Sequence, residues 1–127
     1  MIISFSVFKE KILDGTKTQT IRRYSEFQYK RFCKAKKYQL YWGNPRNGGT
    51  LLKEVDPDDI FPDIITFRQD KYSLYHAMTG LPLSYEYTRE IIIRDGFIYF
   101  ADMWDWFYEH YGDKMFDKWF MVLRWKK

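Results

Sequence analysis

Cysteine occurs once in this chain, at Cys33, and a single thiol cannot close an internal disulfide. Nothing in the sequence therefore requires an oxidising compartment, and a cytoplasmic protein is expected. Histidine is nearly as scarce. His76 and His110 stand apart, no Cys/His cluster has zinc-ligand spacing, and neither a metal nor a cofactor is expected. No stretch approaches the roughly 20 consecutive apolar residues of a membrane helix, which argues against a membrane partner. The opening MIISFSVFKEKI has no basic segment ahead of a long apolar run, so it does not read as a secretory signal. Repeats and low-complexity tracts are missing too. The chain, 127 residues long, is read as one domain covering 1–127 and as a monomer.

What is abundant is aromatic. Phe, Tyr and Trp make up 21% of the chain, so the core and its rim are built largely from rings. Such residues suit strands, and they also stack on nucleic-acid bases. The net charge of +4 is modest but unevenly spread. Residues 1–42 carry ten Lys/Arg against three acids, a balance of +7, and the remainder carries eleven against fourteen, a balance of −3. A basic half favours a polyanionic partner, although a solvated surface can cluster charge without one.

Ile2, Ile3, Phe5, Val7 and Phe8 predict an opening strand, and Lys9 to Asp14 a short helix closed by Gly15 at the position where positive φ costs least. Thr16 to Arg23 turns and then extends, with Thr18, Thr20 and Arg22 on one face and Gln19 and Ile21 on the other. Residues 24–37 interleave basic and aromatic side chains. They fit either an RNA-holding surface, with Tyr24, Phe27 or Tyr29 stacking on a base, or a helix that packs Phe27 and Phe32 inward. Tyr38–Trp42 and Thr50–Val55 flank a turn at 43–49 and read as a hairpin. Ile64–Phe67 and Trp119–Trp125 read as strands. Residues 85–94 fit strand or helix. Asp102 predicts the cap of a helix ending at Gly112. Residues 56–88 look like an insertion between framework elements. Several strands with two short helices predict an α+β fold, a small and partly closed β-barrel.

The tightest constellation is Gly15-Thr16-Lys17-Thr18-Gln19-Thr20-Ile21-Arg22, preceded by Phe8 and the Ile12-Leu13 pair. With Tyr41-Trp42-Gly43-Asn44-Pro45-Arg46 and Asp95-Gly96-Phe97 following in order, it resembles the ASCH domain, a branch of the PUA-like superfamily. The resemblance implies a PUA-like barrel whose basic cleft binds RNA or a modified nucleoside. Ligand contacts are then expected from Gly15, Arg22, Arg23, Tyr41, Trp42 and Arg46. One branch of the family hydrolyses N4-acetylcytidine with a Lys, a Thr and a downstream Glu. Carried over, these are Lys17, Thr20 and an acid that falls nearest Asp95, one methylene shorter, with Glu90 and Glu86 also in reach. Ribonuclease activity is a further implication.

The chemistry is demanding. A lysine acting as a base must be neutral part of the time, and moving its pKa from about 10.4 to about 7.5 costs roughly 4 kcal/mol. Burial and a neighbouring cation supply such shifts, and Arg22 and Arg23 are the available cations. Without that burial, Lys17 and Arg22 would serve as charged donors to a phosphate, a carboxylate or a base edge.

Overall fold

Alternation places Ile3 and Phe5 in the core from β1 (Ile2–Phe5), while Ile2 stays exposed. The strand stops short of the expected Phe8, which adopts a left-handed backbone with φ +64° and caps α1 (Lys9–Leu13). In the computed structural model, described for residues 1–58 and 62–127, β2 (Gln19–Arg23), α2 (Glu26–Lys34), β3 (Tyr38–Trp42) and β4 (Thr50–Val55) follow. After these come β5 (Asp63–Arg68), β6 (Ser73–His76), α3 (Tyr85–Arg94), α4 (Phe100–Tyr111) and β7 (Phe120–Arg124). The described residues thus form an α+β fold of seven strands and four helices.

The strands lie in two sheets, ordered β1-β3-β4 and β2-β7-β5-β6. β1 runs parallel to β3, which requires the crossover made by α1, β2 and α2. The β3–β4 hairpin turns through Asn44, whose side chain accepts from the Arg46 N–H at 2.9 Å. The second sheet is antiparallel throughout, with Thr20 opposite Leu123 and Asp63 opposite Val122.

The expected barrel is not closed among the described residues. One isolated bridge, Pro57 to Trp125, links the strand systems. At the seam between β1 and β2, side-chain contacts stand where ladder bonds would close the cylinder: Arg22 Nη2 donates to the Ser4 carbonyl at 2.6 Å.

β7 serves both cores. Phe120 and Val122 face the cluster containing Ile65, Phe67, Leu74, Ile91 and Phe107, while Met121 and Leu123 face the cluster of Phe5, Ile12, Tyr38 and Leu40. A strand buried on both faces reads as an unbroken apolar run, as Phe120–Leu123 does.

Four other readings are settled or changed. Residues 24–37 supply a helix, α2, that buries Phe32 but leaves Phe27 exposed. Residues 85–94 are helical, with Ser84 capping the first turn by accepting from the Tyr87 N–H and with Ile91 and Ile92 both packed into the core. Asp102 lies inside the first turn of α4, whose cap is Tyr99. The stretch read as an insertion contributes β5 and β6, and β5 pairs directly with β7. Among the described residues no helix is long and apolar enough to cross a membrane.

Phe67 is fully buried, with ring centroids 5.6 Å from Trp104, 5.0 Å from Phe107 and 5.3 Å from Phe120. Phe67→Ala should cost about 3–5 kcal/mol of unfolding free energy, read from the urea midpoint at unchanged m-value. A loss below about 1 kcal/mol would show that this ring does not anchor the core.

Candidate functional site

Helix α3 ends in a Schellman motif. Asp95 is the cap, Gly96 at φ +103° sends its N–H to the Ile93 carbonyl, and Phe97 sends its own to Ile92. This termination aims the Asp95 side chain into the interior, where it is 5% exposed. The chain between Gly15 and Arg23 then runs past the helix end and takes up its carbonyls. The Thr18 N–H donates to the Arg94 carbonyl at 2.9 Å and Gln19 Nε2 to Ile91 at 3.0 Å. Lys17 Nζ donates to the Asp95 carbonyl at 2.5 Å and lies 3.6 Å from Asp95 Oδ1. A cation at this end also complements the negative pole of the helix.

Lys17 is 3% exposed. Burial pushes its pKa below the ordinary lysine value, and Arg22 and Lys11 push the same way, while Asp95 opposes them. Burial pushes the Asp95 carboxyl up, against the pull of Lys17, Gln19 and Arg22. Both directions favour the neutral forms, so the cost of burying charge brings amine and carboxyl closer to sharing one proton.

These groups open onto a cavity of about 140 Å³ at the seam between the sheets. One wall is the segment from Ser4 to Phe8; Thr20, Ile21 and Arg22 of β2 form the next. Phe97, Trp106, Phe107 and Tyr111 enclose the remainder. The ring of Phe8 sits edge-on to Phe97 at 5.1 Å and lies 5.3 Å from Lys17 Nζ. Its left-handed backbone is a strained conformation for so bulky a residue, held by the Lys11 side chain over the ring and by the first turn of α1.

Arg22 stacks over Phe5 at 5.0 Å and donates from Nε to Thr20 Oγ1 at 3.0 Å. That bond occupies an acceptor position on the Thr20 hydroxyl and leaves its O–H free to donate. The site therefore combines an amine with a lowered pKa, an oriented hydroxyl, a guanidinium and a buried carboxyl, walled by aromatic rings.

The structure brings together Lys17, Thr20, Arg22 and Asp95. It does not bring the other expected residues into the cavity. Gly15 is buried at φ +82° beneath the Lys127 side chain, so its role is conformational. Arg23 is the next residue after Arg22 on the strand and is exposed. Tyr41 and Trp42 end β3 opposite Ser4 and Phe5, where Lys9 lies 5.8 Å over the Trp42 ring. Arg46 is exposed in the hairpin turn. Glu86 is exposed, and Glu90 lies 3.3 Å from Arg124 and 3.6 Å from Arg94. Asp95 is thus the acid beside Lys17.

Sequence reasoning missed Gln19, which is fully buried. Its Oε1 accepts from Arg124 Nε at 2.9 Å, which fixes the amide so that Nε2 donates to Asp95 Oδ1 at 3.2 Å. Its placement opposite Thr20 on the strand was readable; the buried partners awaiting it were not. Phe97 entered only through the Asp95-Gly96-Phe97 motif, and nothing in the sequence marks Trp106 or Tyr111 as cavity residues. Among the described residues, no three His, Cys, Asp or Glu side chains are placed to share a metal ion. Comparisons with models of known families, with curated protein sequences and with solved structures return no match.

A depressed lysine pKa has a definite sign in stability. Between its folded value and 10.5, the unfolded chain binds more protons than the folded one, so stability rises with pH. Unfolding free energies of the wild type and of Lys17→Met, measured in urea at several alkaline pH values, should diverge in favour of the wild type as pH climbs towards 10.5. A constant difference would mean that Lys17 is not depressed in the folded state.

Proposed function

We propose that this chain is an ASCH-type, PUA-like protein, its two sheets an opened version of the family barrel, that binds a modified nucleoside or one base of an RNA in the Lys17–Arg22 cavity. The observation that carries the reading is a ring-walled cavity of about 140 Å³ with cationic donors at its floor. An apolar protein cavity of about 150 Å³ admits one benzene ring, so the space suits a single six-membered base rather than a length of polymer. Phe8, Phe97 and Trp106 offer faces and edges for stacking, and Arg22 and Lys17 offer donors to an exocyclic carbonyl.

A second reading, amidohydrolysis of an N4-acylcytidine, is favoured by one specific arrangement: Lys17 against Asp95, with the Thr20 hydroxyl oriented by Arg22. In this scheme the neutral Lys17 amine takes the Thr20 proton and Thr20 Oγ1 attacks the acyl carbonyl. The C–N4 bond breaks, and the released amine takes the proton back from Lys17. Water then cleaves the acyl-threonine ester, giving a carboxylic acid and free enzyme. Alternatively Thr20 holds a water that attacks directly. Asp95 orients the Lys17 amine in either version.

The test is titration of purified protein with N4-acetylcytidine, followed by chromatography for released cytidine. One-to-one binding that changes little with salt is expected, and Arg22→Ala should weaken it at least about tenfold, the loss of a charged hydrogen bond worth roughly 1.5–3 kcal/mol. Cytidine release that vanishes in Lys17→Ala would support the amidohydrolase scheme. Binding without release would leave the binding reading alone, and no binding would overturn both.

A further inference from the structure

Helix α2 leaves the cavity-forming strand and presents an unusual outer face. Phe27, Lys30, Arg31 and Lys34 fall at successive spacings of three, one and three residues, so they lie on one stripe of the helix. All four are exposed, and Phe27 is 69% exposed although it is a large apolar ring. The opposite face buries Phe32, and Tyr24 and Tyr29 pack on one another at 5.7 Å. The Arg31 guanidinium lies over the Phe27 ring at 5.5 Å, forming a flat aromatic and cationic ledge.

The charge on this face is also unbalanced. Glu26 is the only acid of the helix, and Lys30 takes it at 3.1 Å. Lys37 is paired with Asp56. Arg23 just before the helix, Arg31 and Lys34 on it, and Lys36 just after it have no carboxylate partner among the described residues. Arg31 and Lys34 on the stripe of an exposed ring, with Arg23 and Lys36 flanking the helix in sequence, offer the two needs of a single-stranded nucleic acid, phosphate neutralisation and base stacking. An anionic membrane would use the charge, but a lone flat ledge inserts little apolar surface into it.

Continuity with the cavity gives the stripe its place. Arg22 lines the cavity and Arg23 follows it, so Phe27 is at most about 18 Å of extended chain from Arg22. We propose that the outer face of α2 is the track for a single-stranded RNA whose phosphates lie along Arg23, Arg31, Lys34 and Lys36, with one base stacked on the Phe27–Arg31 ledge and a nearby base delivered to the cavity. The inference rests on the cavity reading above and names its natural ligand as a base within a strand rather than a free nucleoside.

The experiment compares a labelled single-stranded RNA of about ten nucleotides with free N4-acetylcytidine, each titrated against the wild type and surface variants. RNA should bind more tightly than the nucleoside, with log affinity falling against log salt at a slope near −3 for four phosphate contacts. Arg31→Ala combined with Lys34→Ala should reduce that slope by about 1.4. Phe27→Ala should weaken RNA binding roughly tenfold with the slope unchanged. None of these exposed substitutions should alter nucleoside affinity. RNA affinity that ignores all three substitutions would overturn the track. Equally tight, Phe27-dependent binding to phosphatidylserine vesicles would overturn RNA as its occupant. RNA binding that needs α2 in a protein that ignores the nucleoside would sink the cavity reading and leave the track standing.

Discussion

At the C-terminal end of α3 the Arg94 and Asp95 carbonyls accept from outside the helix, from the Thr18 N–H and the Lys17 amine, and the Ile91 carbonyl, already bonded to the Asp95 N–H, takes a second donor from Gln19. A buried helix end without partners is costly, so this docking is a structural requirement before it is a functional one. Satisfying it draws a lysine and an aspartate out of water. Asp95 is held by a hydrogen bond from Gln19 and Lys17 by the Asp95 carbonyl, and the burial that makes the pair expensive also shifts both groups towards neutrality. One constraint thus locks the second sheet to α3 and creates the chemically unusual corner of the cavity.

From that corner the polar chain extends outward. Gln19 links Asp95 to Arg124, and Arg124 reaches Glu90 at 3.3 Å and stacks over Tyr87 at 5.0 Å. Tyr87 in turn donates to Asp63 at 2.7 Å. Among the described residues Arg124 Nη2 has no hydrogen-bond partner, while its Nε is held by Gln19 and its Nη1 by Glu90. This wiring keeps the amide of Gln19 in one orientation and so keeps a donor pointed at Asp95. The seam between β1 and β2 completes the arrangement: where a barrel would have ladder bonds, this fold has Arg22, Ser4 and an opening.

Much of the local structure was legible because it rests on short-range chemistry. Gly15 at φ +82°, the 43–49 hairpin turn and the apolar run of β7 follow from rules that need only neighbours. The motif also pointed to Lys17, Thr20, Arg22 and Asp95, which the fold gathers into one cavity. What escaped depends on long-range packing. Alternation on a strand cannot tell which aromatic faces a cleft, so Tyr41 and Trp42 were expected at the ligand, whereas the cavity takes Trp106 from α4. Barrel closure depends on which edges meet, and β1 and β2 meet through a guanidinium rather than through backbone. Helix α3 was ambiguous because its three isoleucines favour strands while its Ser84 cap and its docking partners favour a helix.

The most direct test of the account uses the five tryptophans as reporters of position. Indole N–H resonances, assigned by substitution, can be followed while a cytidine nucleoside is added. If the base enters between Phe8, Phe97 and Trp106, the Trp106 signal shifts and saturates, while Trp42 and Trp119 stay fixed. A saturating shift at Trp42 with Trp106 unmoved would place the ligand at the hairpin edge and contradict the cavity.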